Sequence, residues 1–119
     1  MERTHCGNLL LVEDDADQRE CMIDELERAG YHVASAGDGR EALEVLAAID
    51  RPCLILLDLM MPEMTGFEFM TRLNKLDDPA PVVITSAYVE EGKVPAGALD
   101  VLPKPVTIRA LLNVVERHC

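Results

Sequence analysis

Short apolar runs recur along this chain, and stretches with helical periodicity separate them. Such alternation is typical of a parallel sheet wrapped by helices. The first, third and fourth runs are almost continuously apolar, as in strands that are covered on both faces, so we expect them at the centre of the sheet. The sequence therefore predicts a single α/β domain with five strands, in the runs 9–12, 33–36, 53–57, 82–85 and 100–102.

Helix boundaries are indicated by capping residues and glycines. Gly30 follows the first helical stretch and is a natural stop signal. Asp38 and Glu41 resemble a capping box at the start of the second helix. The third helix is predicted over residues 66–76, and Thr107 is the expected N-cap of the last one.

One predicted helix is irregular. Residues 88–97 should form the fourth of five helices, yet they contain Gly92, Pro95 and Gly97, which are costly inside a helix. We expect a short or distorted helix there.

Charge and hydropathy exclude several classes of protein. The chain has 119 residues and a net charge of -11, from 22 acidic and 11 basic side chains. This balance argues against nonspecific nucleic-acid binding and favours cationic or metal-bearing partners. No apolar run approaches the roughly 20 residues of a membrane span, and the start lacks the apolar segment of a secretion signal. We expect one domain over residues 1–119, with a cytoplasmic location and no membrane association.

The cysteines are widely scattered and form no Cys-x-x-Cys pair, and the three histidines show no ligand spacing. Free, mostly buried thiols are therefore expected, rather than a zinc site or disulfide framework, for all four cysteines: Cys6, Cys21, Cys53 and Cys119.

Residues with chemical potential follow the predicted strands. Because parallel strands deliver their carboxyl ends to one edge, these residues should converge there. Two carboxylates about 5 Å apart repel by roughly 3 kcal/mol at an effective dielectric constant of about 20, which a divalent cation would offset. The oxygen-rich set suits Mg²⁺ better than zinc or copper. The converging residues are Glu13, Asp14, Asp58, Ser86 and Lys104, and their acids supply the oxygens for the metal. Asp15 or Asp17 is explained more simply as a helix cap.

Four motifs carry a resemblance to a known family. Along the chain these motifs are Val12-Glu13-Asp14, Asp58-x-x-Met61-Pro62-x-x-x-Gly66, Ser86-Ala87 and Lys104-Pro105. Through them the chain resembles the receiver domains of bacterial response regulators in two-component phosphorelay systems. The resemblance covers nearly the whole chain. It implies a doubly wound, flavodoxin-like fold with strand order 2-1-3-4-5 and helices on both faces.

The resemblance also implies roles for individual residues. Asp58 would be the phosphoacceptor, attacking the phosphohistidine of a sensor histidine kinase or phosphotransfer protein. Mg²⁺ would be held by Asp14 directly, by Glu13 mainly through water, by Asp58, and by the backbone carbonyl of Met60.

The remaining roles concern the phosphoryl group. Ser86 and Lys104 would each bind a phosphoryl oxygen, and the Lys104-Pro105 bond would be cis, as is common in this family. The domain would catalyse only its own phosphorylation and slow dephosphorylation. As a monomer or weak homodimer, it would act on an unknown output domain or protein and would not itself bind nucleic acid.

The sequence departs from the family in two places. Val101 occupies the position where activated receivers commonly carry a switching Tyr or Phe. Only 18 positions separate Ser86 from Lys104, fewer than is typical, and the shortfall falls in the predicted fourth-helix region. Tyr88 could take over some of the aromatic role.

Two other functions compete with a phosphoaccepting switch. A pseudo-receiver, which signals without phosphorylation, is favoured by these departures and opposed by the complete acidic pocket. A haloacid-dehalogenase-like phosphatase would need a second Asp two residues after Asp58, where this chain has Met60.

Overall fold

The computed structural model describes residues 8–59, 65–77, 79–86 and 97–119. Within them, five parallel strands form one sheet in the order β2-β1-β3-β4-β5. The predicted fold class, strand order and central strands are confirmed. The elements are β1 (Asn8–Val12), α1 (Ala16–Arg28), β2 (His32–Ala36), α2 (Gly39–Ala48), β3 (Leu54–Asp58), α3 (Gly66–Leu73), β4 (Val82–Ser86), β5 (Ala98–Pro103) and α4 (Ile108–His118).

The core lies on both faces of the sheet, as expected where helices cover each side. Every residue of β3 and β4 is buried. One face packs against α1 and α4 through Met22, Leu26, Leu111, Val114 and Val115. The other face packs against α2 and α3 through Ala42, Phe69, Met70 and Leu73. No helix in the described ranges is both long and apolar enough to cross a membrane.

Local hydrogen bonds fix where the helices begin. The side chains of Asp15, Asp38 and Thr107 each accept a bond from a backbone N–H of the first helical turn, so these residues are N-caps. The predicted box at α2 is only half formed, because Glu41 accepts from the backbone of Gly37. A complete capping box is present at α3, between Thr65 and Glu68.

Helix ends follow the predictions less closely. Gly30 adopts a φ of 104° just after α1, in the left-handed region that glycine tolerates best, which confirms it as a stop signal. The helix α3 ends at Leu73, three residues before its predicted end. The predicted fourth helix, including Tyr88, lies outside the described residues except for Gly97.

The cysteine prediction is wrong for one pair. Cys53 and Cys119 form a disulfide, with their Cα atoms 5.4 Å apart. Cys53 precedes β3, Cys119 follows α4, and both pack against the core face formed with α1 and α4. Packing of α4 on the sheet thus joins residues 66 positions apart, which cysteine spacing does not reveal. Cys21 is free but exposed, contrary to the expected burial, and Cys6 lies outside the described residues.

Candidate functional site

The carboxyl edge of the sheet collects the predicted site residues. Glu13 directly follows β1, Asp58 is the last residue of β3, and Ser86 is the last residue of β4. Lys104 follows β5, and its backbone N–H donates to the Ser86 carbonyl at 2.8 Å. Parallel pairing, which places Asp58 beside Thr85, thus brings distant parts of the chain to one edge.

Three carboxylates form a cluster at this edge. Glu13, Asp14 and Asp58 each offer an oxygen, and these oxygens lie within 4.8 Å of one another. Glu13 and Asp58 are buried, with 1% and 3% exposure, whereas Asp14 is exposed. Acids held this closely in a buried setting require a compensating charge. The predicted convergence of the three acids is confirmed, and their donor set can hold a hard divalent cation.

Lys104 supplies one compensating charge. Its Nζ donates to Glu13 Oε1 at 2.8 Å and to Asp58 Oδ2 at 3.3 Å. Burial of the ammonium lowers the Lys104 pKa, but the hydrogen bond to Glu13 and the negative charge of Asp58 outweigh it, so the pKa lies above its usual value. Lys104 is therefore charged at neutral pH. Sequence reasoning paired it with a phosphoryl oxygen and missed its bond to Glu13.

Glu13 is also held through its other polar groups. Its backbone N–H donates to the Ala36 carbonyl at 3.0 Å, and its Oε2 accepts from the Asp15 backbone at 3.2 Å. Its backbone carbonyl accepts from Arg19 Nη1 at 2.7 Å. Arg19 was missed at the sequence level, because an arginine near the start of a surface helix carries no distinctive signal.

Gly66 lies directly against the end of β3. Gly66 donates from its backbone to the Leu59 carbonyl at 3.0 Å. A Cβ on Gly66 would lie 2.6 Å from Leu59 Cα and 2.9 Å from the Asp58 carbonyl oxygen. The missing side chain of Gly66 thus lets α3 begin against the tip of β3.

Four further features of the site were predicted from the sequence, and the structure describes three of them. Ser86 is fully buried at the end of β4, and the Lys104-Pro105 peptide bond is cis, as expected. Met60, whose carbonyl was expected to bind the metal, lies outside the described residues. Val101 lies in β5 and is partly buried, so a small aliphatic side chain stands at the expected aromatic position.

Comparison with known proteins gives a consistent result. The family model described as "Response regulator receiver domain" matches residues 9–116. The response regulator MprA of Mycolicibacterium vanbaalenii is 39% identical over 108 residues, which is 87% of this chain and 46% of that protein. The chain thus spans about half the length of the curated relatives it matches.

Solved structures agree with the sequence matches. The chemotaxis response regulator CheY4 of Vibrio cholerae superposes with a TM-score of 0.86 at 33% identity, covering 95% of this chain and 98% of that one. The response regulator TrrA of Thermotoga maritima, solved in complex with Mg²⁺-BeF, gives 0.85 at 25% identity, covering 95% and 99%. The chain belongs to the response regulator receiver domain family. Its function is that of a phosphoaccepting signalling domain in two-component systems.

Proposed function

We propose that Asp58 is the residue that receives the phosphoryl group, taken from the phosphohistidine of a sensor histidine kinase or a phosphotransfer protein. The observation that carries this assignment is the pairing of buried Asp58 with Lys104 Nζ at 3.3 Å, inside a cluster of three carboxylates at the carboxyl edge of the sheet. Ligands and reactive groups of doubly wound sheets gather at this edge.

Each residue then has a definite task in the transfer. An Asp58 carboxylate oxygen attacks phosphorus, a new P–O bond forms, and the P–N bond to the donor histidine breaks. The Lys104 ammonium and the Ser86 hydroxyl donate to phosphoryl oxygens. Water attacking the same phosphorus later regenerates Asp58, so the domain catalyses only its own phosphorylation and dephosphorylation.

We assign Mg²⁺ to the acidic cluster. Its ligands would be Asp14 directly, Glu13 mainly through water, Asp58, and the backbone carbonyl of Met60. The fit rests on carboxylate oxygens within 4.8 Å of one another, a donor set that Mg²⁺ prefers. Bound Mg²⁺ supplies neutralisation of charge on the phosphoryl oxygens.

The wider context is also a proposal. We propose one receiver domain over residues 1–119, with a cytoplasmic location and a monomeric or weakly homodimeric state. The output domain or protein that responds to phosphorylation is unidentified. Among the described residues only Val101 favours the pseudo-receiver alternative, and the complete acidic cluster opposes it.

A small phosphodonor tests the assignment of Asp58. The chain is incubated with acetyl phosphate and Mg²⁺, and intact-mass spectrometry should detect the addition of one phosphoryl group. The adduct should be absent in Asp58→Asn and when a chelator removes Mg²⁺. Asp50→Asn is the matched control, because Asp50 is an exposed acid beyond α2, away from the cluster. An undiminished adduct in Asp58→Asn, or none in the parent chain, contradicts the proposal.

A further inference from the structure

Arg19 contacts the loop that carries the acidic pair. It lies near the start of α1, and its Nη1 donates to the main-chain carbonyl of Glu13 at 2.7 Å. A short bond from a charged guanidinium is stronger and more directional than a neutral one. The proposed transfer reaction and ligand set do not use Arg19.

The acceptor of this bond belongs to the peptide unit that joins Glu13 to Asp14. A peptide unit is planar, so a hydrogen bond that holds its carbonyl oxygen also fixes the orientation of the backbone that leads into Asp14. The Glu13 side chain is held separately by Lys104 and by the Asp15 backbone. Asp14 itself is exposed, and its placement therefore depends on the backbone on either side of it.

Gly37 gives the guanidinium room on its other side. A Cβ added at Gly37 would lie 3.4 Å from Arg19 Nη1 and 3.5 Å from Glu41 Oε1. The Gly37 backbone N–H donates to the same Glu41 oxygen at 2.7 Å. The guanidinium therefore lies between the connection that follows β1 and the connection that follows β2.

We propose that Arg19 is a positioning residue for the divalent-cation site. By binding the Glu13 carbonyl, it keeps the Asp14 carboxylate beside those of Glu13 and Asp58. This inference rests on the proposed function, since it takes the acidic cluster to be the Mg²⁺ site.

The direction in which Mg²⁺ affinity changes when Arg19 is removed separates a positioning role from a simple effect of its charge. Removing a positive charge near an acidic cluster raises its affinity for a cation, if charge alone matters. Removing a residue that orients ligands lowers metal affinity, typically 10-fold to 100-fold. Arg19→Met keeps an unbranched apolar side chain and deletes both donor and charge, whereas Arg19→Lys keeps a charged donor on a flexible stem.

Isothermal titration calorimetry of Mg²⁺ into the full chain tests the proposal without phosphorylation. We expect Arg19→Met to weaken Mg²⁺ binding about 10-fold and Arg19→Lys to recover part of the loss. Arg28→Met on the same helix should bind as the parent does, because Arg28 is 74% exposed and pairs only with Glu25 among the described residues. Saturating Mg²⁺ should restore the rate of acetyl phosphate labelling in Arg19→Met.

A second pair of variants leaves Arg19 in place. In Gly37→Val the side chain extends beyond the Cβ position toward the guanidinium, and it should weaken Mg²⁺ binding. Gly37→Ala adds a contact of about 3.4 Å and should bind nearly as the parent does. This pair decides the question even where Arg19→Met unfolds.

Unchanged or tighter Mg²⁺ binding in Arg19→Met overturns the role of Arg19 and leaves the proposed function standing. If Arg19→Met unfolds, the same result in Gly37→Val overturns it. A parent chain that binds no Mg²⁺ overturns the proposed metal site, and this inference with it.

Discussion

Lys104 Nζ lies 2.8 Å from Glu13 Oε1 and 3.3 Å from Asp58 Oδ2, so its shorter bond reaches a residue 91 positions earlier in the chain. One ammonium thereby balances two buried carboxylates and joins the ends of β1, β3 and β5. Its loss would leave two buried acids facing each other without that balance.

Lys104→Met should lower the free energy of unfolding by about 3 kcal/mol at neutral pH, because it removes one partner of a buried ion pair. Urea denaturation measures the loss. Lys75→Met, at an exposed position beyond α3, is the control and should change stability by less than about 0.5 kcal/mol.

The same pair of proteins has a defined pH dependence. Because folding raises the Lys104 pKa above 10.5, its stabilisation is fully present below that pH and is lost as the pH rises through the folded-state value. The stability gap between parent and Lys104→Met should therefore be constant near neutrality and shrink in strong alkali. A gap that stays constant beyond pH 11 would count against this role of the ammonium.

Asp100→Asn should lower the free energy of unfolding slightly, by an amount that depends on pH. A hydrogen bond from the Val101 backbone lowers the Asp100 pKa, burial opposes this, and His118 and Arg117 lower it further. The carboxylate is 35% exposed, so we expect a loss of no more than about 0.5 kcal/mol. Because the folded-state pKa is depressed, the contribution exists above about pH 3.8 and disappears as the pH falls through the folded-state value. Melting temperatures of both proteins at pH 7 and pH 3 give the comparison.

Reduction of the Cys53–Cys119 disulfide should destabilise the fold by about 4 kcal/mol, since the bond constrains a long loop in the unfolded chain. Thermal unfolding with and without a reducing agent, and of Cys53→Ser, measures the effect. Cys21→Ser should melt as the parent does, because that cysteine is free and exposed. A parent melting temperature that does not respond to reductant argues against the bond.

Gly66→Ala should be more damaging than Gly30→Ala. At Gly66 the new Cβ would lie 2.6 Å from Leu59 Cα, so α3 must move away from the tip of β3, at a cost of about 2–3 kcal/mol. At Gly30 nothing lies within 4 Å, and only the left-handed φ of 104° opposes alanine, which costs about 1 kcal/mol. We also expect slower acetyl phosphate labelling in Gly66→Ala alone. Equal stability of the two variants would contradict the close approach at Leu59.

Sequence reasoning succeeded where periodicity and strand ends determine the outcome. Continuous apolar runs identified β1, β3 and β4 as central strands, and parallel topology then required Glu13 and Asp58 to meet at one edge. The N-caps at Asp38 and Thr107 are local chemistry, and they were also predictable.

It failed where packing across the fold decides the outcome. The apolar spacing of α2 predicts that Ala47 is buried together with Ala42, yet Ala47 is exposed, because the helix buries only a narrow stripe against the sheet. The bond from Arg19 to a main-chain carbonyl and the Cys53–Cys119 pairing depend on three-dimensional approach alone.

The disulfide divides the site residues by covalent topology. Residues 53–119 form a closed covalent ring that includes Asp58, Ser86 and Lys104, whereas Glu13 and Asp14 lie on the linear segment outside it. A single peptide-bond cleavage within the ring leaves one molecule under non-reducing conditions. A cleavage between Asp14 and Cys53 instead yields two pieces, and only noncovalent contacts then hold the acidic pair against Asp58.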